Sequence, residues 1–120
     1  MALEWEQVVI DSADPIALGR WWAEALGWVV VGEYDDELEI RPAPDRLPGL
    51  LFGVVPEAKA GKNRLHLDFR PADQDAEVER LLALGARHAD VGQRDVRWVV
   101  LADPEGNEFC VLSSRNGAGQ

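Results

Sequence analysis

The sequence predicts an α+β fold built from two copies of a βαβββ module. One strand, one helix and three strands are predicted before a central linker, and the same order of elements follows it. Each predicted helix begins at an aspartate, Asp14 or Asp73, and ends in Leu-Gly. The spacing also repeats, because Gln7 and His66 each precede the aspartate of their own half by seven residues. Such internal similarity indicates two equivalent modules, in which Gln7 and His66 occupy the same position.

Size and composition predict a single domain. The chain has 120 residues, of which 47% are hydrophobic, so it can bury a core. We expect the chain to fray from Ser114 onward. The predicted parts are module one at 1–56, a linker at 57–61, module two at 62–115 and a tail at 116–120.

Charge and hydropathy exclude several classes of partner. The net charge of -10 argues against nucleic acid and anionic membranes, which are bound through lysine and arginine. The first residues lack a signal-peptide pattern, and no apolar run is long enough to span a bilayer. We therefore expect a soluble cytoplasmic protein. Cys110 is the only cysteine, which excludes an intrachain disulfide.

Module one begins with an imperfectly alternating strand over Trp5–Asp11. Asp14-Pro15 predicts a helix start, because aspartate caps the first N–H groups and proline is tolerated at the first helical position. Apolar residues at helical spacing continue to Gly27, which suits a left-handed C-cap. The remaining predicted elements are a hairpin of Trp28–Tyr34 and Glu37–Arg41, a proline-rich loop over 41–49 and a strand over Leu50–Val55.

The strand predicted over Lys62–Phe69 alternates strictly between apolar and polar residues. Its apolar side chains are expected to pack on the helix that follows, and its polar side chains to face a compartment that can hold a ligand. A strand with an ordinary solvent-facing side is the alternative. The apolar set is Leu65, Leu67 and Phe69, and the polar set is Arg64, His66 and Asp68.

The rest of module two follows the order of module one. A helix is predicted from the Asp73 cap to Leu84-Gly85, with Val78, Leu81 and Leu82 facing inward. Asp103-Pro104-Glu105-Gly106 fits a type I turn, so we attribute Asp103, Gly106 and Asn107 to turn chemistry. The other predicted strands are Arg87–Val91, Val96–Leu101 and Glu108–Ser113.

Three segments together resemble the vicinal oxygen chelate superfamily, and more closely its compact glyoxalase-like and bleomycin-resistance-like proteins. The resemblance covers nearly the whole chain. It implies that the two modules curl mixed sheets around a shared cup, commonly in homodimers, and that the cup holds a small molecule and often a divalent metal. The segments are Asp14-Pro15 with Trp21-Trp22 and Leu26-Gly27, then 62–68, then 103–109.

The resemblance also implies one metal ligand from the first and last strand of each module. The repeat predicts that Gly53, in the last strand of module one, corresponds to Cys110 in the last strand of module two, so these positions are Gln7, Gly53, His66 and Cys110. Histidine is a good ligand and glutamine is tolerable, so Gln7 and His66 are the candidate metal ligands. Glycine has no donor, and a cysteine stands where glutamate is usual in the family. This degraded set matches neither a closed zinc site nor an oxygen-rich metal site, so no firm metal cofactor is expected. It also disfavours glyoxalase I activity, which needs a carboxylate base.

Two carboxylates could compensate for this loss. Asp68 lies two residues from His66 and Glu108 lies two residues from Cys110, on the same strand faces. Cys110 itself is interpreted as a small buried residue, with a nucleophile as the alternative. Trp5 and Trp98 are either aromatic walls of the cup or ordinary packing residues.

We therefore predict a module that binds a small aromatic or cationic molecule without changing it. The negative net charge favours a cationic ligand. A metal-dependent lyase, isomerase or dioxygenase-like enzyme with relocated ligands is the alternative. The predicted ligand-binding residues are Trp5, Gln7, Gly53, Arg64, His66, Asp68, Trp98 and Cys110.

Overall fold

The computed structural model describes residues 2–114, which form two compact units within Met1–Ala58 and Lys59–Gln120. Each unit has the order strand, helix and three strands, which confirms the predicted α+β fold of two βαβββ modules. The predicted tail at 116–120 lies outside the described residues. Among the described residues, no helix has the length and hydropathy needed to cross a membrane.

The first unit contains one helix against a four-stranded mixed sheet. β1 is parallel to β4, while the β4–β3 and β3–β2 pairs are antiparallel, which gives the sheet order β1-β4-β3-β2. The elements are β1 Gln7–Ser12, α1 Pro15–Leu26, β2 Val29–Glu33, β3 Glu37–Arg41 and β4 Gly49–Val54.

Helix α1 starts and ends where its capping residues predict. The Asp14 carboxylate accepts a hydrogen bond from the Ala17 N–H at 3.2 Å, and Pro15 is the first helical residue. Gly27 closes the helix with φ 67°, in the left-handed region that glycine adopts without strain. Gly19 brings α1 close to the sheet, because a Cβ there would lie 2.5 Å from Leu38 Cδ2.

The second unit repeats this topology with shorter strands. Its sheet order is β5-β8-β7-β6, with β5 parallel to β8. Helix α2 is capped by Asp73, whose carboxylate accepts a hydrogen bond from the Ala76 N–H, and Gly85 ends it, as predicted. The elements are β5 Leu67–Phe69, α2 Gln74–Leu84, β6 Arg87–His88, β7 Val99–Ala102 and β8 Glu108–Val111.

The strand predicted over Lys62–Phe69 is correct only for its last three residues. The Asn63 N–H donates to the Glu108 side chain at 2.7 Å instead of to a neighbouring strand, so residues 62–66 are irregular. Leu65 is 88% exposed, and the prediction that it packs on the helix was wrong. His66 immediately precedes β5, and Asp68 lies within it.

The predicted turn at residues 103–106 is confirmed. The Gly106 N–H donates to the Asp103 carbonyl at 2.8 Å, which closes the turn. The fully buried Asp103 carboxylate accepts the N–H groups of Glu105 and Asn107, each at 2.9 Å. Turn chemistry therefore accounts for the aspartate, as predicted.

Strand register corrects the predicted equivalence of Gly53 and Cys110. Val9 lies two residues after Gln7, as Asp68 lies two residues after His66. In the two parallel pairs, Val9 lies opposite Leu51 and Asp68 lies opposite Cys110. The residue of the first unit that corresponds to Cys110 is therefore Leu51, and Gly53 lies two residues farther along its strand.

Candidate functional site

A pocket of about 320 Å³ opens within the second unit. Strands β5, β7 and β8, with Leu112 just after β8, form one part of its wall, and the irregular segment before β5 and the loop between β6 and β7 form the rest. Alternation along β8 explains the first part, because Glu108 and Cys110 point into the pocket while Phe109 and Val111 point the other way. The lining residues are Lys62, His66, Asp68, Val91, Gly92, Gln93, Trp98, Val100, Glu108, Cys110 and Leu112.

Local hydrogen bonds shape the loop over residues 89–98. The Gln93 amide accepts from the Val91 N–H and donates to the Ala89 carbonyl, at 2.8 and 3.2 Å. The Asp90 carboxylate accepts from the Gly92 N–H at 2.8 Å. These bonds explain why the strand predicted over 87–91 ends at His88, since the side chains offer the backbone an alternative to the sheet. The strand predicted over 96–101 begins only at Val99.

Glu108 holds the segment that carries Lys62 and His66 into the pocket. One carboxylate oxygen accepts from Lys59 Nζ and the other from the Asn63 N–H, both at 2.7 Å. Burial by itself raises the pKa of this carboxyl, but the hydrogen bonds from Lys59 and Asn63 outweigh it, and the net pKa is lowered. Because both oxygens are engaged, Glu108 is poorly placed to act as the substitute base that the sequence suggested.

His66, Asp68 and Cys110 form a compact cluster at one side of the pocket. The His66 Nε2 atom lies 3.2 Å from Asp68 Oδ1. One ligand atom from each of the three side chains lies within 4.8 Å of the other two. The imidazole and carboxylate are about half exposed, at 46% and 49%, whereas Cys110 is 5% exposed. The exposed side chains of His66 and Asp68 therefore have room to change their torsion angles, whereas the Cys110 sulfur is held by the buried residues around it.

The surroundings of Cys110 keep its thiol protonated at neutral pH. Burial, the negative charge of Asp68 and a hydrogen bond to Asp68 raise the pKa of the Cys110 thiol to about 11. A thiolate is the reactive form in nucleophilic chemistry. The geometry thus favours the interpretation of Cys110 as a buried residue over that of a nucleophile.

Four of the predicted ligand-binding residues meet in this pocket, namely His66, Asp68, Trp98 and Cys110. Arg64 is exposed and is not part of the lining. The other three predicted residues, Trp5, Gln7 and Gly53, belong to the first unit. Trp5 lies before β1 and is exposed, so the strand predicted over 5–11 begins two residues later than expected.

Sequence reasoning missed the contribution of Lys62 and of the loop residues Val91, Gly92 and Gln93. Lys62 was placed in a predicted strand, and Val91 was placed at the end of another, while Gly92 and Gln93 lay in the predicted gap between two strands. Asp90 and Gly92 are turn-forming residues and were the available signal of a loop.

The donor set of the cluster is compatible with a divalent metal ion. An imidazole nitrogen, a carboxylate oxygen and a cysteine sulfur are all ligands of zinc, and three protein ligands leave a position open for another molecule. Asp68 was not among the predicted metal ligands, and Gln7, which was, belongs to the first unit. Among the described residues, His66, Asp68 and Cys110 are the group of three donors close enough to share an ion.

Comparison with solved structures identifies the fold. The chain is similar to a glyoxalase/bleomycin resistance protein/dioxygenase family enzyme from Burkholderia phytofirmans PsJN, with 17% identity, coverage of 91% of this chain and 97% of that chain, and a TM-score of 0.71. It is also similar to the fosfomycin resistance protein FosX from Mesorhizobium loti, with 16% identity, coverage of 97% and 95%, and a TM-score of 0.71. A bleomycin resistance determinant encoded on the transposon Tn5 has 15% identity, coverage of 94% and 99%, and a TM-score of 0.62.

The sequence comparisons identify the family. No significant match was found among curated proteins. The family model described as a glyoxalase-like domain matches residues 7–112, which is most of the chain and includes both βαβββ modules. The chain therefore belongs to the glyoxalase-like domain family.

Proposed function

We propose that this protein binds a small hydrophobic cation in the pocket of its second unit. The observation that carries the proposal is the half-exposed Asp68 carboxylate beside an apolar and aromatic wall. Ligand sites typically combine a mostly apolar lining with a few polar groups that orient the ligand, and their usual volumes begin near 300 Å³. The pocket, at about 320 Å³, is large enough for part or all of a compact aromatic molecule.

The wall supplies the apolar contacts. Val91, Val100 and Leu112 contribute aliphatic surface, and Trp98 contributes an indole that is 42% exposed. A cation over an indole face gains a further attraction of about 0.5–2 kcal/mol. An aromatic cation can thus contact the indole while its charge lies near the carboxylate.

Lys62 places an ammonium in the pocket lining, where its Nζ donates to the Asn63 carbonyl at 3.2 Å, so the preference for a cation over an anion rests on Asp68 and on the acidic chain as a whole. Glu108 also lines the pocket, but its charge is balanced by Lys59 at 2.7 Å. Among residues 2–114, the ion-pair partner of Asp68 is the half-exposed imidazole of His66, and that pair is charged only when the imidazole is protonated. A bound cation would pair with the Asp68 carboxylate, and the acidic chain as a whole adds an attractive field.

Fluorescence titration tests the proposal. Ethidium is a suitable aromatic cation, and 8-anilinonaphthalene-1-sulfonate is an aromatic anion of comparable size. We expect ethidium to quench tryptophan emission through Trp98 and to bind more tightly than the anion. Asp68→Asn should weaken ethidium binding about fivefold, the value of a half-exposed ion pair, and Trp98→Leu should remove most of the quenching.

Asp75→Asn is the matched control. Asp75 is an exposed residue of α2, none of whose residues lines the pocket, so ethidium affinity should not change. Equal affinity for the anion and the cation, or an Asp68→Asn variant that binds ethidium as wild type does, would contradict the proposal.

A metal-dependent lyase, isomerase or dioxygenase-like enzyme is the second candidate. The cluster supports it, because Asp68 supplies a carboxylate that the family's usual positions lack here. A divalent ion, when bound, would act as a Lewis acid that polarises a substrate oxygen. With Asp68 committed to the ion and Glu108 to its two donors, no free carboxylate base remains among the described lining residues.

Glyoxalase I activity is therefore expected to be absent. The assay is turnover of the methylglyoxal–glutathione hemithioacetal by zinc-loaded or nickel-loaded protein. Turnover that Asp68→Asn abolishes would favour the enzyme over the binding module.

We also propose that the protein is a homodimer, as is common in this superfamily. Both four-stranded sheets have open edge strands, which proteins usually cover or pair. Light scattering at micromolar concentration should give twice the mass of the chain, and the mass of one chain would refute the proposal.

A further inference from the structure

We infer that the His66, Asp68 and Cys110 cluster selects a thiophilic divalent ion such as zinc over magnesium or manganese, and that this ion excludes the cationic ligand from the pocket. The selectivity concerns the chain's own donor atoms and stands without the proposed function. The exclusion rests on the proposed function, because it requires that the ligand use Asp68.

The donor atoms determine which ions fit. Magnesium and manganese prefer oxygen ligands, and magnesium requires a nearly ideal octahedron of them. The cluster offers one oxygen donor residue, one nitrogen donor residue and one sulfur donor residue. Sulfur together with imidazole suits zinc and its spectroscopic substitute cobalt(II). Because the thiolate is the form that ligates a metal, binding of the ion would break the S–H bond of Cys110 and release its proton to solvent.

The geometry requires only a small adjustment. Metal–ligand distances of about 2.0–2.3 Å in a tetrahedral zinc site place neighbouring donors about 3.3–3.8 Å apart. The ligand atoms of the cluster already lie within 4.8 Å of one another. His66 and Asp68 are about half exposed, so changes of their side-chain torsions can close the remaining distance while Cys110 stays fixed on β8.

The position of Asp68 makes the two occupants compete. Its carboxylate is the anion proposed to attract an organic cation, and it is also the oxygen donor of the cluster. An ion bound there would use the carboxylate and would add positive charge next to Trp98 and the apolar wall. Zinc should therefore displace ethidium, so the apparent dissociation constant of ethidium should keep rising with zinc concentration rather than level off.

Cobalt(II) absorption tests the selectivity. Untagged protein is stripped with a chelator and titrated with cobalt(II), and a thiolate-to-cobalt charge-transfer band is recorded in the near ultraviolet. Because Cys110 is the only cysteine, this band reports that position alone. We expect one cobalt ion per chain, loss of the band on addition of zinc, and no loss with a hundredfold excess of magnesium or manganese.

Variants separate the contributions of the ligands. Cys110→Ser should abolish the band and weaken zinc at least tenfold, as measured by competition with a chromophoric chelator. Asp68→Asn should keep the band but require about tenfold more cobalt, and Asp75→Asn should behave as wild type. Circular dichroism checks that each variant is folded, and Asp68→Asn keeps the test decisive if Cys110→Ser does not fold.

The competition is read separately, by ethidium fluorescence with and without zinc. Zinc should weaken ethidium binding in wild type and have no effect in Cys110→Ser. The absence of a cobalt band up to millimolar cobalt, or manganese binding as tight as zinc binding, would overturn the selectivity. Simultaneous binding of zinc and ethidium would overturn the exclusion, whereas failure of ethidium to bind at all would refute the proposed function and leave the cobalt result intact.

Discussion

Replacing Glu108 with glutamine should destabilise the second unit and disturb its pocket. The carboxylate accepts hydrogen bonds from Lys59 Nζ and the Asn63 N–H, both at 2.7 Å, and the side chains of the ion pair are only 14% and 21% exposed. A glutamine can keep one of these bonds through its carbonyl oxygen, but it then directs an NH₂ group at the ammonium of Lys59. Loss of one hydrogen bond to a charged group lowers the free energy of unfolding by about 1.5–3 kcal/mol.

Urea denaturation at pH 7 measures this loss, with Glu79→Gln as the control. Glu79 is exposed on α2, so the same substitution there should change stability by less than about 0.5 kcal/mol. The pH dependence has a definite sign, because the pKa of Glu108 is lowered in the folded protein. The contribution of the ionised Glu108 carboxylate to folding stability is present above the ordinary carboxyl pKa of about 4.5, and it is lost as the pH falls through the lowered pKa of the folded protein.

The difference in stability between wild type and Glu108→Gln should therefore shrink as the pH is lowered below about 4.5. Ethidium binding should also weaken in this variant, because Asn63 precedes the segment that brings His66 into the pocket. A stability difference below 0.5 kcal/mol at pH 7, or one that does not vary with pH, would refute the reasoning.

Three further predictions concern the thiol, two glycines and a helix cap. Because the pKa of Cys110 is raised to about 11 in the folded protein, the unfolded state loses the thiol proton first, and wild type should lose stability relative to Cys110→Ala as the pH rises from about 9 to 11. Iodoacetamide at pH 8 should alkylate the thiol more slowly in native than in urea-unfolded protein. Gly19→Val should lower the free energy of unfolding in urea by about 1–3 kcal/mol, because its Cβ would meet Leu38. Gly53→Val should change it by less than about 1 kcal/mol, because no atom outside the neighbouring residues lies within 4 Å of a Cβ there. Asp73→Ala should remove the cap of α2 and cost about 1 kcal/mol in the same assay, and an unchanged midpoint would contradict the capping role.

Residue type and strand alternation did not by themselves predict which candidate residues line the pocket. Trp98 and Cys110 were each open to a packing interpretation from sequence, and both line the pocket. Trp5 and Arg64 carried equal weight from their alternation, but neither lies in this pocket. The difference depends on where the backbone leaves the strand, which alternation alone does not reveal.

Features that depend on neighbouring residues followed from the sequence by itself. The caps at Asp14 and Asp73, the left-handed Gly27 and the turn closed by Asp103 each need only a few adjacent residues with the right side chains. The repeat of these local signals was sufficient to predict two βαβββ modules and the family. The equivalence of Gln7 and His66 came from the same caps.

Only the tertiary structure decided the extent of β5, the course of the loop over 89–98 and the meeting of Asp68 with Cys110. Each depends on contacts between residues far apart in the chain. The Asn63 N–H donates to the Glu108 carboxylate and not to a neighbouring strand, and the parallel β5–β8 register places Asp68 opposite Cys110. Alternation specifies which face a residue occupies within a strand, but the partner strand and its register specify what that residue faces.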